Sequence, residues 1–521
     1  MSIFWGAALA LFIAAYVAWS LLAYFQSPLR RYPGPFFAKF TNLWRVYHTL
    51  RGDIHLVNLR THRKYGPVVR TGPNNLDLDV PSLVKTIYTT DHKWLKTEFY
   101  PPASNVVNRE PVPNLFSLID PAEHVRQKKP VAKHYSMTSV LQLEPHFDEA
   151  IRLLCCQLEG RFMHKWVHDC CEFSSEFDLG QWIKMYAWDV IGQITFSKRS
   201  GYLEAGKDFD GHLWLSEMGS DYLASVSQLP ILDRWIDKNP IIPIGGATVL
   251  LGPTLQYVKD QFQGRDKATH DESKPDFLDK FIQAKSENPD VGDGRQIISY
   301  LAINMLAGAD TTAITIKAVL YYVLRTLGVR AKLEAEILAM EFSKQHNVPP
   351  PYSEVKLLPY LAAVIREAMR LHPGVAMTLP RYVPAEAQGS QLVLLDGSTV
   401  PPGISVGMNP FVLGRNKQTW GVDSDEFRPE RWLRDEGADE TKECFAERLR
   451  GMDNADFTFG AGSRVCIGRH LALVEVYKVV ATLFALYEIQ IMEPETEWWV
   501  RNGFFLRQQG PRVKMRPRRV M

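Results

Sequence analysis

The spacing of hydrophobic and polar positions changes several times along this chain, and each change marks an element. From Ile3 to Phe25 no charged residue interrupts an apolar run. At about 1.5 Å per residue that run can cross a hydrocarbon core of about 30 Å. Trp5, Trp19 and Tyr24 lie near its ends, where amphipathic rings favour the membrane interface. A cleaved signal would start with Lys or Arg and carry a shorter apolar stretch. The expected organisation is a transmembrane anchor over 3–25, a proline-rich linker over 26–36 and one catalytic domain over 37–521. Arg30, Arg31, Lys39 and Arg45 follow the span, which orients the body toward the cytosol.

Alternation on both sides of Gly72-Pro73-Asn74-Asn75, between Gly66 and Val80, predicts a hairpin, and Leu392 to Val400 predicts another around Asp396-Gly397. Elsewhere three- and four-residue spacing predominates. It is clearest from Ile297 to Leu327, which holds no proline and predicts about 45 Å of helix crossing the whole body. Ser353 to Leu371, bounded by Pro349-Pro350-Pro351 and Pro373-Gly374, and His470 to Leu483 read as further helices. The expected fold is mainly α with small β-sheets.

Composition narrows the function. With 46% hydrophobic and 23% charged residues the chain is globular, and 60 Lys+Arg against 58 Asp+Glu leave a net charge of +2, without the basic footprint of a nucleic-acid binder. Six cysteines in 521 residues do not make a disulfide scaffold. Four form the adjacent pairs Cys155-Cys156 and Cys170-Cys171, the second near His164 and His168, but no CxxC spacing accompanies them and no metal site is expected there. The basic run Arg512, Lys514, Arg516, Arg518 and Arg519 reads as a solvated tail.

The chemistry concentrates in Phe459-Gly460-Ala461-Gly462-Ser463-Arg464-Val465-Cys466-Ile467-Gly468. Phe459, Gly462, Arg464, Cys466 and Gly468 fall at the offsets of FxxGxRxCxG, a coincidence expected by chance with probability on the order of 10⁻⁴. Glycines let the backbone turn tightly and bring amide groups to the sulfur, and a helix begins just afterward. Amides and the positive end of a helix stabilise an anionic sulfur, as a thiolate ligand to iron requires. Arg464 offers a charge-assisted donor to an acidic edge of a cofactor.

These residues resemble the haem-binding motif of the cytochrome P450 family, the haem-thiolate monooxygenases. The resemblance implies the P450 fold, haem b with Cys466 as axial thiolate, and a thiolate that favours O–O cleavage. Ala307-Gly308-Ala309-Asp310-Thr311-Thr312 resembles the family's A/G-G-x-D/E-T-T/S. Gly308 costs about 1 kcal/mol inside a helix, which close approach of a flat cofactor would explain. Asp310 and Thr311 place an acid beside a hydroxyl and are the expected proton-relay pair; taken alone, a threonine there more often bonds back to its own helix. Glu367 and Arg370 resemble the family's ExxR, and Phe427 to Trp432 its PERF region with Trp432 for Phe, so Glu367, Arg370 and Arg431 are implied to form a buried structural ion triad. Arg464, Arg381, His124 and Lys128 are the implied partners of the haem propionates. The last two stand where the family has WxxxR, and Arg126 is an alternative to either.

The resemblance further implies insertion of one oxygen atom from O2 into a lipophilic organic substrate. Electrons would come from NADPH through a separate membrane-bound reductase, since no GxGxxG opens a helix after a strand. The body would lie on the cytosolic side of the endoplasmic reticulum membrane, with lipophilic substrate entering from the bilayer. Tyr186 to Gly192, Thr195-Phe196-Ser197 and Gly201-Tyr202-Leu203 resemble fungal members such as pisatin demethylase, many of whose relatives tailor secondary metabolites. Expected substrate contacts are Val107, Leu115, Met305, Ala309, Val375, Met377, Thr378 and Phe504. The alternatives are a haem-thiolate isomerase or dehydratase that needs no O2, and a non-enzymatic haem sensor.

Overall fold

The computed structural model describes residues 2–107, 110–163, 172–239, 245–246, 250–263, 275–289, 294–344, 348–385, 391–435, 437 and 440–518, with the helix backbone alone at 2–4, 6–10 and 12–13. Cys170, Cys171, His164, His168 and Arg519 lie outside them. Among the described residues no group of three or more His, Cys, Asp and Glu could hold a metal ion.

The first apolar run is a helix, α1 (Ser2–Gln26). Trp5, Leu11, Trp19, Leu22 and Phe25 on it are exposed, while Tyr24 near its end packs on Phe40 and Arg70 of the body. The body is built on helices. Those that position the site are α2 (Pro121–Ala132), α3 (Leu179–Phe196), α4 (His212–Val226), α5 (Gly294–Arg325), α6 (Pro359–Leu371) and α7 (Arg469–Leu486). Helix α5 spans 32 residues, beginning three before the predicted start and ending at Arg325, where Thr326 leaves the helical conformation. By length and composition it could cross a membrane, but 78% of its apolar window is buried inside the protein, so it is the core helix. Helix α3 packs along it, buried at every position except Gln181, with Lys184, Asp189 and Gln193 among its buried side chains.

The predicted helix from Ser353 to Leu371 is instead two pieces, Tyr352–Val355 and α6. Pro359 is the reason. It lacks an N–H and clashes with the preceding turn in a helix interior, but is well suited to the first position of a new helix, which is where it stands.

Both predicted hairpins are present. Strands β1 (Val68–Gly72) and β2 (Asn75–Leu78) pair antiparallel with Val68 opposite Leu78, and Leu392–Val393 pairs with Thr399–Val400 across Gly397, whose φ of +77° suits glycine. The first hairpin extends into a four-stranded sheet with β3 (Arg381–Tyr382) and β4 (Ser405–Gly407), in the order β1-β2-β4-β3. Sequence separation of some 300 residues between β2 and β4 put that pairing beyond any local pattern. Near the carboxyl end, β5 (Val500–Asn502) and β6 (Leu506–Gln508) form a further hairpin, and Leu506 N donates to Gly374 O at 3.0 Å.

Candidate active site

Cys466 sits two residues before Gly468, the residue that caps the start of α7. Its N–H donates to Phe459 O at 2.9 Å, closing the loop on itself. Gly462 is required by space as well as conformation: at φ +65° a Cβ would lie 2.2 Å from Tyr88 O. Ser463 N donates to Thr89 O at 3.2 Å, so the loop is stitched to segment 88–89. The Cys466 side chain is accessible to solvent, yet protein encloses it, as in a residue facing an internal space. Burial pushes its thiol up, while the N–H groups of Gly468 and Arg469 and the charges of Arg469 and Lys128 pull the other way. Phe459 is half-buried against the main core.

On one flank of this loop lies a cluster of basic groups, with Lys96, His124 and Arg381 buried and Arg464 and Lys128 half-buried. Arg464 donates to Leu118 O at 3.0 Å and Ile119 O at 3.2 Å; Arg381 donates to Tyr100 Oη at 2.5 Å and Pro380 O at 2.9 Å. Lys128 Nζ reaches Ser463 O at 3.0 Å, and His124 Nδ1 is buried with no partner. Lys96 joins them, donating to Phe116 O at 2.5 Å over the Tyr100 and Phe116 rings. Arg464, Lys96 and His124 carry the effect of their neighbours. Burial, then Arg381, brings Arg464 down to about 10. Burial, then Arg381 and Arg464, holds Lys96 well below the usual lysine range, and burial, then Arg464, Lys96 and Lys128, brings His124 down to about 3. Like charges in a low dielectric are costly unless an anion joins them. Two carboxylates from a bound cofactor fit this cluster. Arg126, the alternative to His124 or Lys128, is committed elsewhere: it forms a bidentate pair with Glu123 on the exposed side of α2.

Helix α5 is mostly buried, and along its middle Ile303, Leu306, Ala307, Gly308, Thr311 and Thr315 are half-buried. Gly308 admits α3, since a Cβ there would lie 2.7 Å from Ile191 Cδ1. Thr311 Oγ1 donates to Ala307 O at 2.7 Å, and Gly374 lies against its side chain. Asp310, about 100° further round the helix, points to neighbouring helices. Its Oδ1 accepts from Trp188 Nε1 at 3.0 Å and its Oδ2 from Ser216 Oγ at 2.9 Å. Beside it is a small polar cavity lined by Lys184, Glu217, Ser220, Lys317 and Arg507. The acid and the hydroxyl adjoin in sequence, but each is bonded in a different direction.

Of the expected substrate contacts, Leu115 and Val375 are half-buried and Phe504 and Met377 share one aromatic-rich cluster with Val375. Val107, Met305 and Ala309 are packed into the main core, and Thr378 Oγ1 donates to Asp77 Oδ2 at 3.0 Å. Nothing in the local pattern of Lys96, Tyr100 and Ser216 sets them apart, and Trp188, part of the Tyr186 to Gly192 resemblance, carries no local mark of its bond to Asp310.

Between α6 and segment 428–432, Glu367 is wholly buried and fully partnered. Arg370 forks onto it at 2.8 and 2.7 Å, Arg431 Nε donates at 2.9 Å, and Arg428 N at 3.0 Å. Trp432 supplies one more donor, Nε1 to Glu367 Oε2 at 2.9 Å. The remaining N–H groups of Arg370 go to backbone carbonyls, including Ser424 O at 2.6 Å, and those of Arg431 go to Trp420 O at 2.6 Å, Asp423 O at 3.1 Å and the Asp423 carboxylate at 3.3 Å.

A family model described as Cytochrome P450 matches residues 32–515. The chain is 43% identical over 511 residues to the Cytochrome P450 monooxygenase cfoH of Aspergillus candidus, covering 98% of this chain and 92% of that protein. It is 32% identical over 512 residues to the Cytochrome P450 monooxygenase cicH of Emericella nidulans, covering 98% of each, and 33% identical over 498 residues to the Cytochrome P450 monooxygenase mpaDE of Penicillium roqueforti, covering 95% of this chain and 56% of that protein. With an enclosed cysteine at the head of α7, a basic flank and this match along nearly its whole length, the chain belongs to the cytochrome P450 family.

Proposed function

We propose that this P450 is a fungal monooxygenase that transfers one atom of O2 to a C–H or C=C bond of a lipophilic molecule made in secondary metabolism. The observation that carries the reading is the enclosed Cys466 sulfur facing an internal space beside basic groups that form no salt bridge with a carboxylate among the described residues. Haem held there by the Cys466 thiolate would supply O2 reduction and oxygen-atom transfer. Arg464, Arg381, Lys96, His124 and Lys128 would hold its propionates, and Phe459, Gly462 and Gly468 shape the loop beneath it.

The chain's other residues set conditions for the chemistry. Thr311 holds a hydroxyl on the half-buried strip of α5, while Asp310 holds a carboxylate at the cavity on another side of the helix, so the two hold protons at separate places rather than as a directly joined pair. The apolar groups around Val375 and Phe504 exclude bulk water from the reacting side. Glu367, Arg370 and Arg431 brace α6 against segment 428–432. Two electrons must arrive from outside, and NADPH through a membrane-bound reductase is the source the family implies. The exposed apolar side chains of α1 support its insertion as a single-pass anchor in the endoplasmic reticulum membrane, with the body on the cytosolic side.

The reduced, carbon-monoxide-bound protein is expected to show the red-shifted Soret band of thiolate ligation, and Cys466→Ala to abolish it; an unchanged band in the variant would remove the assignment. Product formed without NADPH and reductase would instead identify an isomerase or dehydratase.

A further inference from the structure

Four residues before Lys96, the backbone adopts a conformation that its turn does not explain. His92 has φ +63°; the other non-glycine residue with positive φ among the described residues, Ser197, ends α3 as its C-cap. His92 ends no helix. In its turn Asp91 Oδ1 accepts from Thr89 Oγ1 and from Lys93 N, bonds that leave the His92 side chain out. Glycine adopts this φ without strain, so the turn by itself gives no reason for an imidazole. Half-buried His92 lines a cavity between the cysteine loop and the basic flank. Lys96, Arg381 and Arg464 reach the same cavity from three separate segments, and no Asp or Glu is among its described lining residues. His124 is close by, its Nδ1 buried without a partner: burial first, and then Arg464, Lys96, Lys128 and His92, oppose its protonation.

Resting on the haem reading, we infer that His92 is a further propionate partner, its imidazole N–H donating to one of the two carboxylates when haem is bound. A cavity walled by cationic groups and lined by no carboxylate suits an anion. Each propionate offers two oxygens with about four lone-pair sites, and much of the donor capacity already assigned to them is spent within the protein. Arg464 donates to Leu118 O and Ile119 O, Arg381 to Tyr100 Oη and Pro380 O, and Lys128 to Ser463 O. The His92 imidazole has no hydrogen-bond partner among the described residues. It carries an N–H whether neutral or protonated, so the contact does not depend on its charge. The β-bridge from Lys96 to Arg381 fixes the segment, which therefore brings both donors, His92 and Lys96, to one cavity.

The test uses full-length, haem-loaded protein in buffer free of phosphate and sulfate. Two properties are read: the rate of haem transfer to apomyoglobin, and the resonance Raman bending bands of the propionates. His92→Gly suits the backbone and removes the imidazole, while His92→Asn also tolerates positive φ and keeps a shorter N–H donor. His92→Gly is expected to speed transfer about fivefold and to shift a propionate band, with His92→Asn in between and the thiolate carbon monoxide band unmoved in both. Because glycine relieves the turn, a purely structural role for His92 predicts the opposite, transfer that is unchanged or slower. An unchanged or slower rate in His92→Gly, or faster transfer with both propionate bands unmoved, overturns the inference. A parent protein without the thiolate band would instead take down the haem reading and the inference with it.

Discussion

Lys96 shows how much a single side chain can add to a site. Its ammonium is buried beside Arg381 and Arg464, and its pKa is driven far down, first by burial and then by those neighbours. In isolation that arrangement only costs free energy; beside a carboxylate it becomes a charge-assisted hydrogen bond of about 1.5–3 kcal/mol. Lys96→Met is therefore expected to speed transfer of haem to apomyoglobin by about tenfold or more, with the thiolate band unchanged in position. An unaltered transfer rate would remove Lys96 from the propionate set. Cys466, Arg464 and Gly462 could be read from the chain because their roles depend on neighbours a few positions away. Lys96 could not, because what distinguishes it is a β-bridge to Arg381, 285 residues later.

At the scale of elements, the segment Phe427 to Trp432 departs from the family pattern, and the departure has a physical use. Phe would fill the same space, but Trp432 also donates to Glu367 and stacks under Arg366, whose guanidinium carbon is 3.8 Å from the ring centre. The carboxylate is at 0% exposure, so any lone pair left unmatched there is left without water. Trp432→Phe is expected to cost about 1–3 kcal/mol, read as a lower urea midpoint at unchanged slope. No shift in midpoint would mean that the two arginines already satisfy Glu367. The Tyr186–Leu203 motif likewise proves to be a tie between elements. Asp189 on α3 accepts from Gly201 N at 2.7 Å, Tyr202 N at 3.1 Å and Leu203 N at 2.8 Å, holding the start of the next short helix. Where the reading of elements failed, at Val355 to Pro359, apolar periodicity continued through a proline that resets the backbone.

The whole molecule carries buried histidines that make its stability depend on pH. Burial brings His55 and His372 each down to about 3 from the ordinary 6.5, and His372 is bonded through Nε2 to Leu506 O at 2.8 Å. Between those values the unfolded chain binds more protons than the folded one. Stability from these groups is therefore complete above the ordinary value and declines as pH falls toward 3, by about 1.4 kcal/mol per pH unit for each histidine. Urea midpoints should fall steadily between about pH 6.5 and pH 5, and His372→Gln should flatten the slope by about one proton. A slope that His372→Gln leaves untouched would show that other groups govern it. The same long-range order separates what the chain alone determined from what folding decided. Local spacing was enough for the core helix, both hairpins and the turn around Cys466, because turns, periodicity and amide placement act over a few residues; the haem-thiolate reading came from the resemblance of that turn to a family motif. Which way Asp310 and Thr311 point, that Met305 and Ala309 turn into the core, and that Lys96, Tyr100 and Phe116 join the site were decided by tertiary structure. Those outcomes depend on helix rotation and on strands paired across hundreds of residues, and neither leaves a mark in the spacing of side chains along the chain.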